Sequence, residues 1–378
     1  MNTTATNSTA SPYFIGIDLH SDNAVICIKE TECTSLKGIC SKTIATKRVS
    51  VHDGADKVLA FLQPYCANHS HIAVVESTYN WYFLADAFEK RGWVLYIADP
   101  STVSQANIKA SDDKTDAAYL ADRLSYNSIK CYKPLGKRER ALRDLCRQRM
   151  DLVQKRAEFK ITLINLYSNQ LGRKISADSL FKRAAGEGIK NNTVDPDLFI
   201  EFEDYAVRLR VAMMLENISL LNRQIFKLDE YIQQHCRNID LMKLCRTMPG
   251  CGEVLSSVIG TEIGDIRRFK TPGDFVSYCR LCATSKLSNG KSKGLGNAKN
   301  GNAYLSWALT EVANLAVRFS PVARKVYDRL LNKAGGLRVK AIRTLAAKLA
   351  RGLHRALSKG QVFDIEYCLC GVKSKADR

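Results

Sequence analysis

No stretch of this chain reaches the roughly 18–20 consecutive apolar residues that a membrane-spanning helix needs, so no membrane partner is expected. The first dozen residues, Met1 to Pro12, hold Thr, Asn and Ser but neither Lys nor Arg. A secretory signal requires a basic start and an apolar centre, and a transit peptide requires arginines. Residues 1–12 are therefore expected to form a disordered lead-in. Acids are scarce as well: 38 Asp+Glu stand against 57 Lys+Arg, which leaves +19 on 378 residues. A surplus of that size favours a polyanionic partner, because neutralised phosphates release counterions. Extended disorder is excluded by a composition 46% hydrophobic and 25% charged, which can bury a core. The length suits two or three domains.

The 13 cysteines are odd in number and scattered through apolar elements, the usage of reduced thiols in a long intracellular chain. A zinc site built from Cys279 and Cys282 with Cys368 and Cys370 is the alternative, although the pairs lie far apart and lack the usual turn residues.

Periodicity divides the chain. In residues 13–135, Tyr13–Leu19, Ala24–Ile28 and a stretch around Lys47–Val51 read as strands. Asp53–Tyr65 then reads as a helix, His71–Val75 as a buried strand ending in Glu76, and Asn80–Lys90 as a helix. Val94–Ala98 is a strand and Asp116–Leu124 a helix, an α/β order that resembles a ribonuclease-H-like sheet. Residues 136–236 read as a helical arm. Val207, Val211, Met214, Ile218, Leu221, Ile225, Leu228 and Ile232 recur at alternating steps of four and three, a heptad seam. Leu142–Tyr167 is a looser version, interrupted by Arg149 and Arg156, and Gly172–Pro196 reads as a connecting loop with at most a short helix. An antiparallel hairpin, together with a homo-oligomer (dimer or tetramer), is the expectation. Residues 237–360 read as a mainly helical domain and 361–378 as a tail. From Lys286 to Lys359 sixteen Lys/Arg face only Glu311 and Asp328, so this segment carries +14 of the +19. A merely solvated face mixes both signs, so nucleic-acid contact is expected here.

Several groups could carry chemistry. Asp18 sits in a buried strand, where an unpaired carboxylate is costly, and a divalent cation is one natural partner. Glu76 closes the next long strand. Asp113 and Asp116 stand three apart at a helix start and can face one side, with Asp112 and Asp122 also at hand. Four such acids can hold two hard cations for phosphodiester chemistry; as a plain helix start, Asp116 would instead serve the helix dipole. Met248-Pro-Gly-Cys-Gly252 looks like the turn of a helix-hairpin-helix element, whose Gly250 and Gly252 would let backbone N–H groups approach a phosphate. Ser288 and Ser292 lie among Lys286, Lys291, Lys293 and glycines, with Lys299 beyond. This is not a Walker A loop, since Ser285 stands where its first glycine belongs. It is either a serine nucleophile in a phosphate-gripping loop or a basic loop that binds backbone alone.

Ile15-Gly-Ile-Asp18, Val74-Val-Glu76-Ser-Thr and Asp113-x-x-Asp116-Ala-x-x-Leu-Ala121 resemble the DEDD transposases, which include pilin-gene invertases and the insertion-sequence one-ten elements. Met248-Pro-Gly-x-Gly252, Phe275-x-x-Tyr278, Ser288-Asn-Gly-Lys-Ser and Lys299-Asn-Gly-Asn-Ala-Tyr-Leu305 resemble the second half of that family, in the same order. The resemblance implies a RuvC-like nuclease domain, a coiled-coil arm and a C-terminal transposase domain with a nucleophilic serine. Asp18, Glu76, Asp113 and Asp116 would then hold Mg²⁺, and Ser288 would form a phosphoserine with the DNA end. A structured bridge RNA would choose the DNA by base pairing. The setting it implies is cytoplasmic and nucleoid-associated.

Two departures stand out. Ser111-Asp112 replaces the usual lysine-threonine before the third acid, while Lys114-Thr115-Asp116 carries it three residues later. That register would make Asp116 the third acid and put Tyr119 in the fourth place. Arg280–Leu287 departs from the family's Gly-Leu-x-Pro run, which leaves Ser285 and Ser292 as alternates to Ser288. A sugar kinase or actin-like ATPase needs Gly where His20 stands. A RuvC-like structure-specific endonuclease without serine chemistry is the main alternative.

Overall fold

Strict alternation gives the first strand two faces. In β1 (Tyr13–Leu19) Ile15, Ile17 and Leu19 enter one apolar cluster, whereas Phe14, Gly16 and Asp18 belong to the opposite side. The computed structural model describes residues 12–34, 38–67, 70–99, 102, 112–187, 193–282, 285–288, 291–295 and 300–371. It divides into two compact units, Met1–Arg138 and Glu139–Arg378. The lead-in expected at 1–12 lies outside the described residues but for Pro12.

The first unit is a six-stranded mixed sheet in the order β3-β2-β1-β4-β5-β6. Its strands after β1 are β2 (Asn23–Thr34), β3 (Gly38–Ser50), β4 (His71–Glu76), β5 (Leu95–Ala98) and β6 (Cys131–Tyr132). β1, β2 and β3 form an antiparallel meander, β4 and β5 run parallel to β1, and β6 returns antiparallel. Helices α1 (Asp56–Cys66) and α2 (Tyr82–Lys90) cover the Ile15/Ile17/Leu19 face with Val58, Leu62, Leu84 and Phe88. Helix α3 (Asp113–Ser125) covers the other face, where Leu120 and Leu124 meet Val74 and Ala98, and Ala117 meets Val25 and Cys27. This is the helix–sheet–helix arrangement of a ribonuclease-H-like α/β domain.

Gly16 sets the depth of that second layer. A Cβ there would lie 2.0 Å from the Ala117 carbonyl oxygen and 2.6 Å from the Ala121 nitrogen. The bare Cα lets α3 lie directly on β1, two residues before Asp18. Asp122, on the same helix, accepts from Lys29 and from Ser41, so this carboxylate ties α3 to the β2–β3 hairpin.

The second unit is helical. Helices α4 (Lys137–Leu171) and α6 (Tyr205–Cys236) run antiparallel. Leu163 and Leu166 share a cluster with Val211 and Ile218, Leu152 with Leu221 and Ile225, and Leu142 with Ile232. All eight heptad positions are buried or half-buried in these clusters. The seam is thus covered within the chain, and a homo-oligomer has to use another face. The arginines that interrupt the pattern on α4 explain themselves: Arg149 donates to Asp229 at 2.8 Å and Arg156 to Asn222 at 2.8 Å, across the hairpin. The segment read as a connecting loop contains the 11-residue helix α5 (Ala177–Glu187), whose Leu180 and Ala184 pack under the hairpin.

Beyond the hairpin come α7 (Asp240–Arg246), α8 (Glu253–Ile263), α9 (Pro272–Tyr278), strands β7 (Ser285–Ser288) and β8 (Lys291–Leu295), then α10 (Ala303–Phe319), α11 (Pro321–Lys333), α12 (Arg338–Lys359) and α13 (Ile365–Cys370). The helices close around one apolar core that also holds Leu142, Cys146 and Met150 of α4. At its centre Glu262, only 3% exposed, accepts two bonds from Arg147 at 2.6 and 2.7 Å and one from Asn302 at 2.7 Å. Asn302 also caps α10 through the Leu305 N–H. The buried charge is therefore paired and its lone pairs are satisfied.

Candidate metal centre and nucleic-acid face

Asp18 stands near the end of β1, paired with Val25 of β2, which pairs in turn with Arg48 of β3. The three form one row across the sheet on the α3 side. Glu76 ends β4 on the same face as Val74, and the parallel register of β1 and β4 brings it beside Asp18. Asp113 and Asp116 come from the first turn of α3, which Asp112 caps by accepting from the Thr115 N–H at 2.7 Å. The close approach permitted at Gly16 carries that turn to the strand ends. The alternate fourth acid position, Tyr119, is turned along the helix, its hydroxyl accepting from Arg123 at 3.0 Å.

The electrostatics follow from crowding. Asp18 is 7% exposed. Burial pushes its carboxyl above the ordinary range; His20 opposes this, and the charges of Asp116 and Asp113 add to it. Glu76 is pushed up by burial first, then by Asp18 and Asp116. Two nitrogen-bearing side chains reach the cluster. The His20 Nε2 lies 3.1 Å from Asp18 Oδ2 and 3.5 Å from Asp113 Oδ1, and Arg48 donates to Asp113 Oδ2. The ligand atoms of Asp18, His20 and Asp113 lie within 4.8 Å of one another. Converging carboxylates held partly away from water are a donor set that fits a divalent cation.

His20 and Arg48 were missed by the sequence reading. For His20 the signal was present: two residues after Asp18, it falls on the same side of the strand. Arg48 becomes visible only through the register of two strand pairs.

The other candidates lie in the second unit. Gly250, at φ +84°, is pressed against α10, where a Cβ would fall 2.5 Å from that of Leu315. Gly252 is exposed, has no neighbour in the way of a Cβ, and stands at the start of α8. The serine-bearing segment is a two-stranded hairpin, with Leu287 opposite Ser292 and Ser288 opposite Lys291 as the last pair before residues 289–290. The side chains of Ser285, Lys286, Ser288, Lys291, Ser292 and Lys293, and all of Lys299, lie outside the described residues. Every Lys and Arg from Arg318 to Lys359 is exposed, so α11 and α12 are strongly basic on their exposed sides.

The cysteines whose side chains are described are free thiols. Burial pushes Cys146 and Cys251 up to about 12, the behaviour of inert core thiols. Among the described residues, Cys279, Cys282, Cys368 and Cys370 form no metal-binding group, and Cys368 donates to the Lys348 carbonyl. Nor, among those residues, is any helix long and apolar enough to cross a membrane.

Comparison with known proteins agrees with this layout. Residues 15–168 match a transposase family model, the DEDD transposases of IS110 type, and residues 242–328 match the Transposase IS116/IS110/IS902 family. The transposase for insertion sequence element IS1328 of Yersinia enterocolitica is 23% identical over 244 residues, covering 65% of this chain and 70% of that protein. A probable family 20 transposase of Pseudomonas aeruginosa is 28% identical over 104 residues, 27% of this chain and 30% of that protein. The first model spans all four acids and the second spans Gly250, Gly252 and the serine hairpin, in the family's order: the chain belongs to the IS110-type DEDD transposases.

Proposed function

We propose that this transposase cuts and rejoins the DNA ends of a mobile insertion sequence with two sets of groups, an acidic tetrad in the first unit and a serine in the second. The observation that carries the reading is the convergence of Asp18, Glu76, Asp113 and Asp116 at the ends of the central strands β1 and β4. These four residues would hold Mg²⁺. A bound divalent cation polarises a phosphodiester and steadies a leaving oxygen. Glu76 and Asp18 sit at strand ends, so the backbone fixes their spacing, while α3 delivers the other two as a pair.

Ser288 is the proposed nucleophile, with Ser285 and Ser292 as alternates on the same hairpin. Its Oγ forms a bond to phosphorus while the P–O bond to one deoxyribose breaks, and that sugar leaves with the serine proton as a free hydroxyl. The phosphoserine conserves the bond energy until an incoming hydroxyl reverses the step on a new strand. The three domains read from the sequence belong to this proposal: a RuvC-like domain at 13–135, a coiled-coil arm at 136–236 and a transposase domain at 237–360.

The basic sides of α11 and α12, with Gly252 at the open start of α8 in a helix-hairpin-helix role, would grip DNA and RNA backbone. Lys286, Lys291, Lys293 and Lys299 would join them, and Gly250 would shape the turn. A structured guide RNA would supply sequence choice. The homo-oligomer would use the outer side of α6, where Leu209, Met213 and Leu220 stand exposed opposite the buried seam. The protein would act at the nucleoid. Incubation with Mg²⁺, end DNA, target and the flanking noncoding RNA, followed by a denaturing gel, tests the reading. A covalent protein–DNA band that needs the RNA and is lost in Ser288→Ala is expected. Free cleaved ends without an adduct, indifferent to Ser288→Ala, would mean a RuvC-like endonuclease instead.

A further inference from the structure

His20 is built into the acidic cluster rather than hanging beside it. Its N–H donates to the Asn23 carbonyl at 2.9 Å, and its own carbonyl accepts from Asn80 Nδ2 at 2.7 Å. Thr78 donates to Asn80 Oδ1 at 3.0 Å, and the Thr78 N–H donates to the Glu76 carbonyl at 2.8 Å. A run of hydrogen bonds thus connects the loop after Glu76 to the backbone of His20. The imidazole is left facing Asp18 and Asp113. Arg48 holds Asp113 Oδ2, which leaves Oδ1 turned to the ring. One imidazole nitrogen and two carboxylate oxygens, one of them on a carboxylate that Arg48 also holds, lie within 4.8 Å of one another.

Oxygen-only clusters suit Mg²⁺, which keeps most of its waters and has little use for nitrogen. An imidazole in the set favours transition-metal dications. Resting on the tetrad reading above, we propose that His20 is a metal ligand and that Asp18, His20 and Asp113 form a mixed nitrogen–oxygen position that prefers Mn²⁺ over Mg²⁺. The side of the cluster holding Glu76 and Asp116 remains an all-oxygen position. His20 therefore sets which ion the site takes, a role distinct from that of the four acids.

The test uses the full chain, stripped of metal and titrated separately with Mn²⁺ and Mg²⁺ by calorimetry. Pulsed electron paramagnetic resonance of the Mn²⁺ form then looks for nitrogen coupling. His20 is 44% exposed on its side chain, so His20→Ala is expected to fold, with a melting curve as the check. The expected result is nitrogen coupling in the wild type that disappears in His20→Ala. Mn²⁺ affinity should fall about tenfold in that variant, and Mg²⁺ affinity less than about twofold. Mn²⁺ binding that depends on Asp18 but shows no nitrogen coupling, or affinities unchanged in His20→Ala, would overturn the inference and leave the tetrad standing. No binding of either ion, with Asp18→Asn indistinguishable from wild type, would overturn the tetrad and the inference together.

Discussion

Replacing Gly16 by alanine tests how the fold makes the site. The added methyl would lie 2.0 Å from the Ala117 carbonyl oxygen, 2.6 Å from the Ala121 nitrogen and 3.0 Å from the Leu120 Cβ. Two of these are helix backbone, so no side chain can swing away to make room. Ordinary contact begins near 3.4 Å, and α3 has to retreat by roughly 1 Å. Overpacking of this kind costs about 1–3 kcal/mol, which lowers the melting temperature by several degrees. The larger effect is functional, because the same helix carries Asp113 and Asp116. A displacement of about 1 Å at a reacting centre can cost about a hundredfold in rate. Gly16→Ala should therefore bind DNA through the basic helices much as the wild type does, and cleave about a hundredfold more slowly. Strand cleavage on labelled end DNA and binding by fluorescence anisotropy measure the two. Gly252→Ala, which meets no neighbour, is the control for stability. Wild-type melting and wild-type cleavage in Gly16→Ala would refute the argument that close packing on β1 positions the acids.

Other consequences follow from the same geometry. The folded carboxyls of Asp18 and Glu76 are raised by burial and by like charges, so the folded state holds protons more tightly than the unfolded one. Stability of the metal-free protein should fall as pH rises from the ordinary carboxylate range through these elevated values. Near neutral pH, Asp18→Asn should melt higher than wild type without metal and lose the stabilisation by divalent cations; a lower melting point would contradict this. Arg147→Ala strips Glu262 of its bidentate partner in the core, which should cost about 3–5 kcal/mol in denaturant unfolding, and a change under 1 kcal/mol would refute it. Nucleic-acid affinity should drop steeply between low and moderate salt if the basic helices neutralise many phosphates; a flat response would remove the basic face as the binding surface. Met213→Lys should reduce the particle mass seen by light scattering if the outer side of α6 joins two copies, and an unchanged oligomer would place the interface elsewhere.

Strands whose two faces are both buried were legible, because β1 and β4 read as apolar runs bounded by turns. The outer halves of β2 and β3 were not. Lys29–Thr34 and Gly38–Thr46 are polar edge segments, paired by backbone hydrogen bonds with little apolar signal. Helix α5 was hidden for a similar reason: its flanks are rich in Lys, Gly and Asn, and its buried side is short, marked by Ala177, Leu180 and Ala184. The serine segment, full of Lys, Ser and Gly, has weak strand propensity, yet it pairs as a hairpin. The seam on α6 was plain from its spacing, but spacing could not say that α4 of the same chain fills it. At the candidate site, the motifs pointed to Asp18, Glu76, Asp113 and Asp116 individually. Their convergence depends on the β1–β4 register and on Gly16, which are relations between distant residues.

Single substitutions under matched binding decide whether the four converging acids form the metal-dependent cutting site. Labelled end DNA would be incubated with wild type, Asp18→Asn and Asp116→Asn in the presence and absence of divalent cation, with binding measured on the same samples. Cation-dependent cleavage that falls more than about a hundredfold in both variants, while DNA affinity stays within about twofold, is the predicted result. Cleavage that proceeds undiminished in either variant, or without cation, would contradict it.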